Sequence, residues 1–220
     1  MFVRDYMTRH PLMAEPTMSI VEAQRYMGEN NIRHLPIVGD GKRLLGLVTR
    51  QTLLVDPGRL GSLDVWEITR FLSRLTVKDI MIKARDVITI SQDATIEEAA
   101  RLMITQRIGC LPVLNEGILV GVITEMDLLA QLTNLLGGTV PGVRVTMRVP
   151  DRVGEFAKVT SAIALQGWGI YASGEVPAPK DPGYWHFVIK VRHVSKEEMV
   201  TVLEKIEDQQ IIDVREVHER

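Results

Sequence analysis

The stretch Ser19-Ile-Val-Glu-Ala-Gln-Arg-Tyr-Met-Gly-Glu-Asn-Asn-Ile-Arg-His-Leu-Pro-Ile-Val38 lies without a gap over Thr95-Ile-Glu-Glu-Ala-Ala-Arg-Leu-Met-Ile-Thr-Gln-Arg-Ile-Gly-Cys-Leu-Pro-Val-Leu114. At this offset of 76 the two share 8 of 20 residues: Ile20/Ile96, Glu22/Glu98, Ala23/Ala99, Arg25/Arg101, Met27/Met103, Ile32/Ile108, Leu35/Leu111 and Pro36/Pro112. The chain is internally duplicated, and a tandem unit changes what its hydrophobic faces are for. The duplication extends both ways. An offset of 75 aligns Gly46-Leu47-Val48-Thr49 with Gly121-Val122-Ile123-Thr124, and an offset of 74 aligns Val3-Arg4-Asp5-Tyr6-Met7 with Val77-Lys78-Asp79-Ile80-Met81.

Each copy reads in the same order. A capping-box signature, Ser19 to Glu22 or Thr95 to Glu98, opens a helix, whose apolar stripe in the second copy is Ile96, Ala99, Ala100, Met103 and Ile104. A short strand containing Pro36 or Pro112 follows, then a polar turn, a second apolar strand (Leu44 to Val48, or Ile118 to Ile123) and a second helix from Thr49 or Thr124. A unit of about 50 residues is marginal alone, so the two β-α-β-β-α copies are expected to pack about a pseudo-twofold axis. Between them Asp56-Pro57-Gly58 breaks the chain, and Val65, Ile68, Leu72 and Leu75 line one side of an expected linker helix.

From Val143 the pattern changes. Val143, Val145, Met147 and Val149 alternate with polar residues as a one-sided strand. The turn Pro150-Asp151-Arg152-Val153-Gly154-Glu155 leads into a helix with Phe156, Val159, Thr160, Ile163 and Ala164 on one face, stopped by Gly167-Trp168-Gly169. Strands from Ile170 to Val176 and around Trp185 to Val191, a helix capped by Ser195 and Glu198, and a strand from Ile211 to Val217 complete a β-α-β-β-α-β order, which is ferredoxin-like.

Composition bounds the function. The 220 residues, 45% hydrophobic and 25% charged, suit a soluble globular chain of one large or two small domains. A net charge of -2 offers no global positive field to hold nucleic acid or an anionic lipid surface. The lone cysteine, Cys110, excludes an internal disulfide and reads as a buried, inert thiol. The opening Met1-Phe2-Val3-Arg4-Asp5 reads as no secretion signal and the longest apolar run falls far short of a membrane span, so the expected location is cytoplasmic. There is no Gly-x-Ser-x-Gly elbow, Walker loop or His-Glu-x-x-His, and the five histidines show no metal-ligand spacing, so neither an enzyme nor a metal site is expected.

The twice-repeated order Val-x-Asp-x-Met, helix, Ile-x-x-Leu-Pro-Val/Ile, then Gly-hydrophobic-hydrophobic-Thr resembles the CBS domain pair, or Bateman module, over Val3 to about Leu54 and Val77 to about Leu132. The region from Val143 to His218 resembles an ACT domain, whose Pro-Asp-Arg-Pro-Gly-x-Leu-Ala-like turn here reads Pro150-Asp-Arg-Val-Gly-Glu-Phe-Ala157. Together they look like the acetoin-utilisation protein B (AcuB) family of bacterial regulators. The fold this implies is α/β (α+β): CBS repeat 1 at 1–54, a linker helix at 55–76, CBS repeat 2 at 77–136, a hinge at 137–142 and an ACT-like domain at 143–220.

Candidate ligand residues follow from both lines of reading. At Gly121-Val122-Ile123-Thr124-Glu-Met-Asp127 a strand runs into a helix, whose terminal amides suit a phosphate. Thr124 can donate to a phosphate oxygen, and Asp127 can accept from paired ribose hydroxyls. The same two residues also fit a capping box that needs no ligand. The CBS resemblance implies the nucleotide role, with an adenine nucleotide (AMP, ADP or ATP) as regulatory ligand and no catalytic cofactor. In the first copy Thr49-Arg-Gln-Thr52 has no carboxylate where Asp127 stands. Arg33 and His34, aligned with Gly109 and Cys110 and with Arg107 nearby, border the cleft in the same resemblance, beside Pro112. Arg33 is a phosphate clamp or a solvated charge, and Gly109 a place for a purine to approach or only a tight turn. In the third segment Asp151, Arg152, Val153, Gly154, Glu155 and Gly169 are candidates for an amino-acid ligand, with Asp151 as a plain helix cap the alternative. The expected function is a ligand-sensing regulator, a homodimer that passes nucleotide occupancy to the ACT-like domain or to a regulated partner protein. The rival readings are an amino-acid sensor and a ligand-free interaction scaffold.

Overall fold

The computed structural model describes residues 1–54 and 75–218, which form two compact units, Met1–Leu128 and Leu129–Arg220. The expected linker helix, with Val65, Ile68 and Leu72, lies outside the described residues. So does the body of the helix expected from Thr49. Its start is a single turn, in which the Leu53 N–H donates to the Thr49 carbonyl at 3.2 Å.

In the first unit the elements run α1 (Val3–Tyr6), β1 (Thr8–Arg9), α2 (Ile20–Glu29), β2 (His34–Val38), β3 (Leu44–Thr49), then α3 (Val77–Ile80), β4 (Ile82–Lys83), β5 (Ile90–Ser91), α4 (Ile96–Gln106), β6 (Cys110–Asn115), β7 (Ile118–Thr124) and the start of α5 (Glu125–Leu135). Helix α4 opens with a full capping box, in which Thr95 Oγ1 accepts from the Glu98 N–H at 3.2 Å and Glu98 accepts from the Thr95 N–H at 2.8 Å. Ser19 makes the first half of the same box on α2, at 3.1 Å. The apolar stripes bury Ile20, Ala23 and Met27 on α2 and Ile96, Ala99 and Met103 on α4. Ile104, expected in the stripe, is 77% exposed: eight residues beyond Ile96 it stands about 80° round the helix, outside so narrow a face.

The two repeats exchange their opening segments. Strand β1 pairs with β7 of the second repeat (Thr8 opposite Val122), and β4 pairs with β3 of the first (Ile82 opposite Leu47). Single bridges Phe2–Thr95 and Ser19–Thr76 repeat the exchange, and the two hairpins meet at the equivalent residues Arg43 and Ile118. Val3 is buried in the core with Ile96, Met103, Leu111 and Ile123, and Val77 in the core with Ile20, Met27, Leu35 and Val48. A four-residue helix cannot make a core of its own. Burying its single valine in the other repeat stabilises the pair by about 1.5–3 kcal/mol each time. The result is a four-stranded β1-β7-β6-β5 sheet and a three-stranded β2-β3-β4 sheet, each containing a strand given by the other repeat.

The second unit contains the rest of α5 and then β8 (Gly142–Pro150), α6 (Glu155–Leu165), β9 (Ile170–Pro177), β10 (Tyr184–Val191), α7 (Lys196–Leu203) and β11 (Gln210–Val217). The sheet order is β11-β8-β10-β9, antiparallel throughout, the ferredoxin-like arrangement. Val143, Val145, Met147, Phe187, Ile189, Val159, Ile163, Met199 and Leu203 form its core. Two details depart from the expected stripe of α6. Phe156 is 47% exposed, and Glu155 beside it is buried at 4%.

Candidate functional site

Two cavities open in the first unit, and they are lined by equivalent positions of the two repeats. The first, about 470 Å³, is bounded by Leu47, Thr49, Arg50 and Thr52 at the end of β3, by Asp86–Ile88 after β4, and by Arg107, Ile108, Gly109 and Cys110 leading into β6. The second, about 540 Å³, is bounded by Val122, Thr124, Glu125 and Met126 at the end of β7, by His10, Pro11 and Leu12 after β1, and by Asn31, Ile32, Arg33 and His34 leading into β2. Arg33, His34, Gly109, Cys110 and Glu125 line both and form the wall between them. Both volumes lie within the range of sites for small organic ligands.

The wall is built by two equivalent crossings. The Arg50 N–H donates to the Arg33 carbonyl at 3.2 Å, and the Glu125 N–H donates to the Gly109 carbonyl at 3.1 Å. Across the wall the Arg33 guanidinium lies 4.0 Å from the Glu125 carboxylate. Burial holds the His34 imidazolium below its ordinary pKa, aided by Arg33 and opposed by Glu125, so at neutral pH the ring is uncharged. Burial, with the Asp127 carboxylate adding to it, pushes the Cys110 thiol up to about 12, which leaves it protonated and unreactive.

Each strand-to-helix elbow closes on itself. Asp127 Oδ2 accepts from the Thr124 N–H and from Thr124 Oγ1, both at 2.7 Å, and the Asp127 N–H donates back at 3.4 Å. This is the capping box. Asp127 is bonded to Thr124 and is not among the cavity-lining residues, and its Oδ1 takes no hydrogen bond from the described residues. At the other elbow Thr49 and Thr52 bond each other at 2.9 and 3.2 Å, with Thr52 Oγ1 in Asp127's place.

The structure therefore divides the residues expected from sequence. It brings Val122, Thr124, Arg33, His34, Gly109 and Cys110 to the second cavity, and Thr49, Arg107 and the shared wall to the first. Ile123 and Pro112 are buried in the sheet and line neither. Over Gly109 lies the Glu125 carboxylate, 3.2 Å from where a Cβ would be. The segments His10–Leu12 and Asp86–Ile88, and the pair Arg50/Glu125, were not singled out from sequence. The 74–76 offsets carried them, since each lies at an equivalent position in the two repeats.

The residues of the third-segment turn bind one another. Glu155 accepts from Arg152 and Lys158 at 2.9 Å and from Gln209 at 2.8 Å. The Gln209 amide, then Lys158 and Arg152, outweigh its burial and hold its pKa down to about 2. Asp151 is not the helix cap. Gly154, in the left-handed region at φ 94, takes that position, and the Asp151 N–H instead donates to the Gly183 carbonyl at 2.8 Å. Gly169 lies past the far end of α6, about 16 Å of helix from the turn, so one chain does not join the two. A shallow cavity of about 400 Å³ beside the turn is lined by Arg148, Asp151, Arg152, Tyr184 and Asp208.

Comparison with known proteins places this geometry. The CBS domain family model matches residues 3–55 and 77–134, and the chain belongs to that family. A Vibrio cholerae structure described as an acetoin utilization protein (AcuB) shares 33% identity at a TM-score of 0.53, over 62% of this chain and 93% of that one. CBSX2, solved in complex with AMP, shares 26% identity at a TM-score of 0.50, over 60% of this chain and 95% of that one. Protein MJ1225 of Methanocaldococcus jannaschii, described as an archaeal homolog of g-AMPK, is 32% identical over 130 residues, 58% of this chain and 45% of that protein. The L-aspartate semialdehyde sulfurtransferase of the same organism is 30% identical over 139 residues, 62% of this chain. The chain spans 45% and 23% of the lengths of these two relatives. Among the described residues no helix is long and apolar enough to cross a membrane, and no group of three His, Cys, Asp or Glu side chains could hold a metal ion.

Proposed function

We propose that the paired repeats bind an adenine nucleotide (AMP, ADP or ATP) and that the protein is a regulatory sensor rather than an enzyme. The observation that carries this is the pair of equivalent cavities meeting at Arg33, His34, Gly109 and Glu125, each ending on a Thr-capped elbow. The AMP complex of CBSX2, a structure of the same fold, supports it. Thr124 lines the second cavity and Asp127 is bonded to it through Oδ2, so we assign the Asp127 carboxylate as the acceptor for a ribose hydroxyl. A ligand that touches both repeats favours one relative packing of the two, and a differential affinity of about 1–3 kcal/mol would make occupancy a signal. Helix α5 begins at the second cavity, and its residues from Leu129 on belong to the second unit, so it is the element we assign to carry that signal.

We assign residues 143–220 to an ACT-type domain, supported by the βαββαβ order and the sheet order β11-β8-β10-β9. We assign residues 1–54 and 77–136 to the repeats and 137–142 to the hinge, while the compact units divide within α5, between Leu128 and Leu129. The chain is assigned as a homodimer on the half-exposed Leu129, Leu132 and Leu135 of α5. Thermal shift of the full chain with AMP, ADP, ATP, S-adenosylmethionine and amino acids tests the reading. Stabilisation by nucleotides that weakens in Asp127→Ala supports it, a response to amino acids alone makes the second unit the sensor, and no response makes the chain a scaffold.

A further inference from the structure

The two cavities are equivalent in backbone and unequal in charge. Arg50 and Glu125 occupy matching positions one residue past the elbow threonine, each anchored by its N–H to a carbonyl of the shared wall, at 3.2 and 3.1 Å. A second pair of equivalent positions differs in the same sense. Arg107 lines the first cavity where Asn31 lines the second. Both are left-handed, at φ 55 and φ 51. Asparagine enters this region readily, whereas arginine does so at a cost, so its guanidinium is held at this rim against local backbone preference.

The charges then divide unevenly. The shared pair Arg33 and Glu125 offset each other at 4.0 Å. What remains at the first cavity, among the described residues, is Arg50 and Arg107 against the single carboxylate Asp86. At the second, among the described residues, the remaining ionisable lining groups are His10 and His34, and burial keeps His34 uncharged at neutral pH. Guanidinium groups pair with phosphate oxygens two at a time, and each further phosphate on a ligand adds charge that only the first rim can meet.

We propose that the cavities sort adenine ligands by charge: the one ending on Thr49 takes a polyphosphate, ADP or ATP, and the one ending on Thr124 takes a ligand with one phosphate or none. This rests on the nucleotide reading above.

Calorimetric titration of the full chain with AMP and with ATP, at low and at raised salt, tests it. Arg107→Asn copies the other repeat and suits the left-handed backbone, so it keeps the fold; Arg50→Gln removes the second charge. Together they are expected to weaken ATP binding on the order of tenfold and to leave AMP affinity within about twofold. Glu125→Arg is expected to narrow the preference of the second cavity for AMP over ATP, and salt to weaken ATP more steeply than AMP. Equal losses for AMP and ATP in the double variant, or no loss of ATP, would overturn the sorting while leaving nucleotide binding in place. A wild-type chain that takes up neither nucleotide would overturn both.

Discussion

Met7 and Gly121 are in such close contact that a Cβ on the glycine would lie 2.5 Å from the Met7 sulfur and 3.0 Å from the Thr8 carbonyl oxygen. The mirror contact joins Met81 to Gly46, where a Cβ would meet the sulfur at 2.6 Å and the Ile82 carbonyl oxygen at 2.5 Å. These contacts explain why each repeat carries a methionine four residues after its opening valine and a glycine in its last strand. The methionine and the strand after it lie on the other repeat's glycine.

Alanine at these glycines is expected to destabilise the first unit by about 1–3 kcal/mol. Gly46→Ala should cost more than Gly121→Ala, because its nearest obstacle is a backbone oxygen rather than a flexible thioether. Chemical denaturation of both variants measures the order, and equal, negligible losses would contradict the exchanged arrangement.

Asp127 has two duties that its variants separate. Asp127→Ala removes the carboxylate half of the capping box and is expected to cost about 1 kcal/mol of stability. Asp127→Asn keeps an acceptor for the Thr124 N–H and should recover most of that loss. Both variants are expected to weaken nucleotide binding, because a ribose hydroxyl loses its charged acceptor. Parallel melting and titration of the two variants would show a purely structural role if Asn restored binding as well as stability.

Glu155 makes the second unit sensitive to acid. Its pKa in the folded chain, about 2, lies below the ordinary 4.5, so its contribution is complete above pH 4.5 and fades as pH falls towards 2. Glu155→Gln should lower stability at neutral pH by about 2 kcal/mol, through lost charge-assisted hydrogen bonds. The gap between wild type and variant should close across that window in pH-dependent unfolding. A gap constant from pH 6 to pH 2 would refute the assignment.

Lys190 behaves in the opposite sense. It is 1% exposed, and its Nζ donates to the Gly137 carbonyl at 2.6 Å. Burial first, then Arg144, lower its pKa, so the cost of holding its charge inside falls as pH rises from its folded value towards the ordinary 10.5. Relative to Lys190→Met, wild-type stability should therefore climb between neutral and strongly alkaline pH. A flat difference would show that the amine is solvated.

Much of the fold was legible because duplication doubles every signal. Pro36 and Pro112, Gly46 and Gly121, and the helix openings at Ser19 and Thr95 stand in the same order, and the alternation from Val143 to Val149 matches the burial of β8. The exchange was not legible: Val3 and Val77 each fit a core of either repeat, and hydrophobic pattern carries no address. Nor was the division of the site. Ile123 and Val122 are adjacent apolar residues, and only the pleat of β7 sends one to the core and the other to a cavity. Asp151 looked like a cap because aspartate commonly is one, whereas here glycine in a left-handed turn starts the helix one residue before Glu155.

The most direct test is calorimetric titration of AMP into the 220-residue chain, beside the Asp127→Ala variant. Saturable binding that the variant weakens by an order of magnitude or more is the expected result. An absence of heat and of thermal stabilisation with every adenine nucleotide would contradict the account at its root.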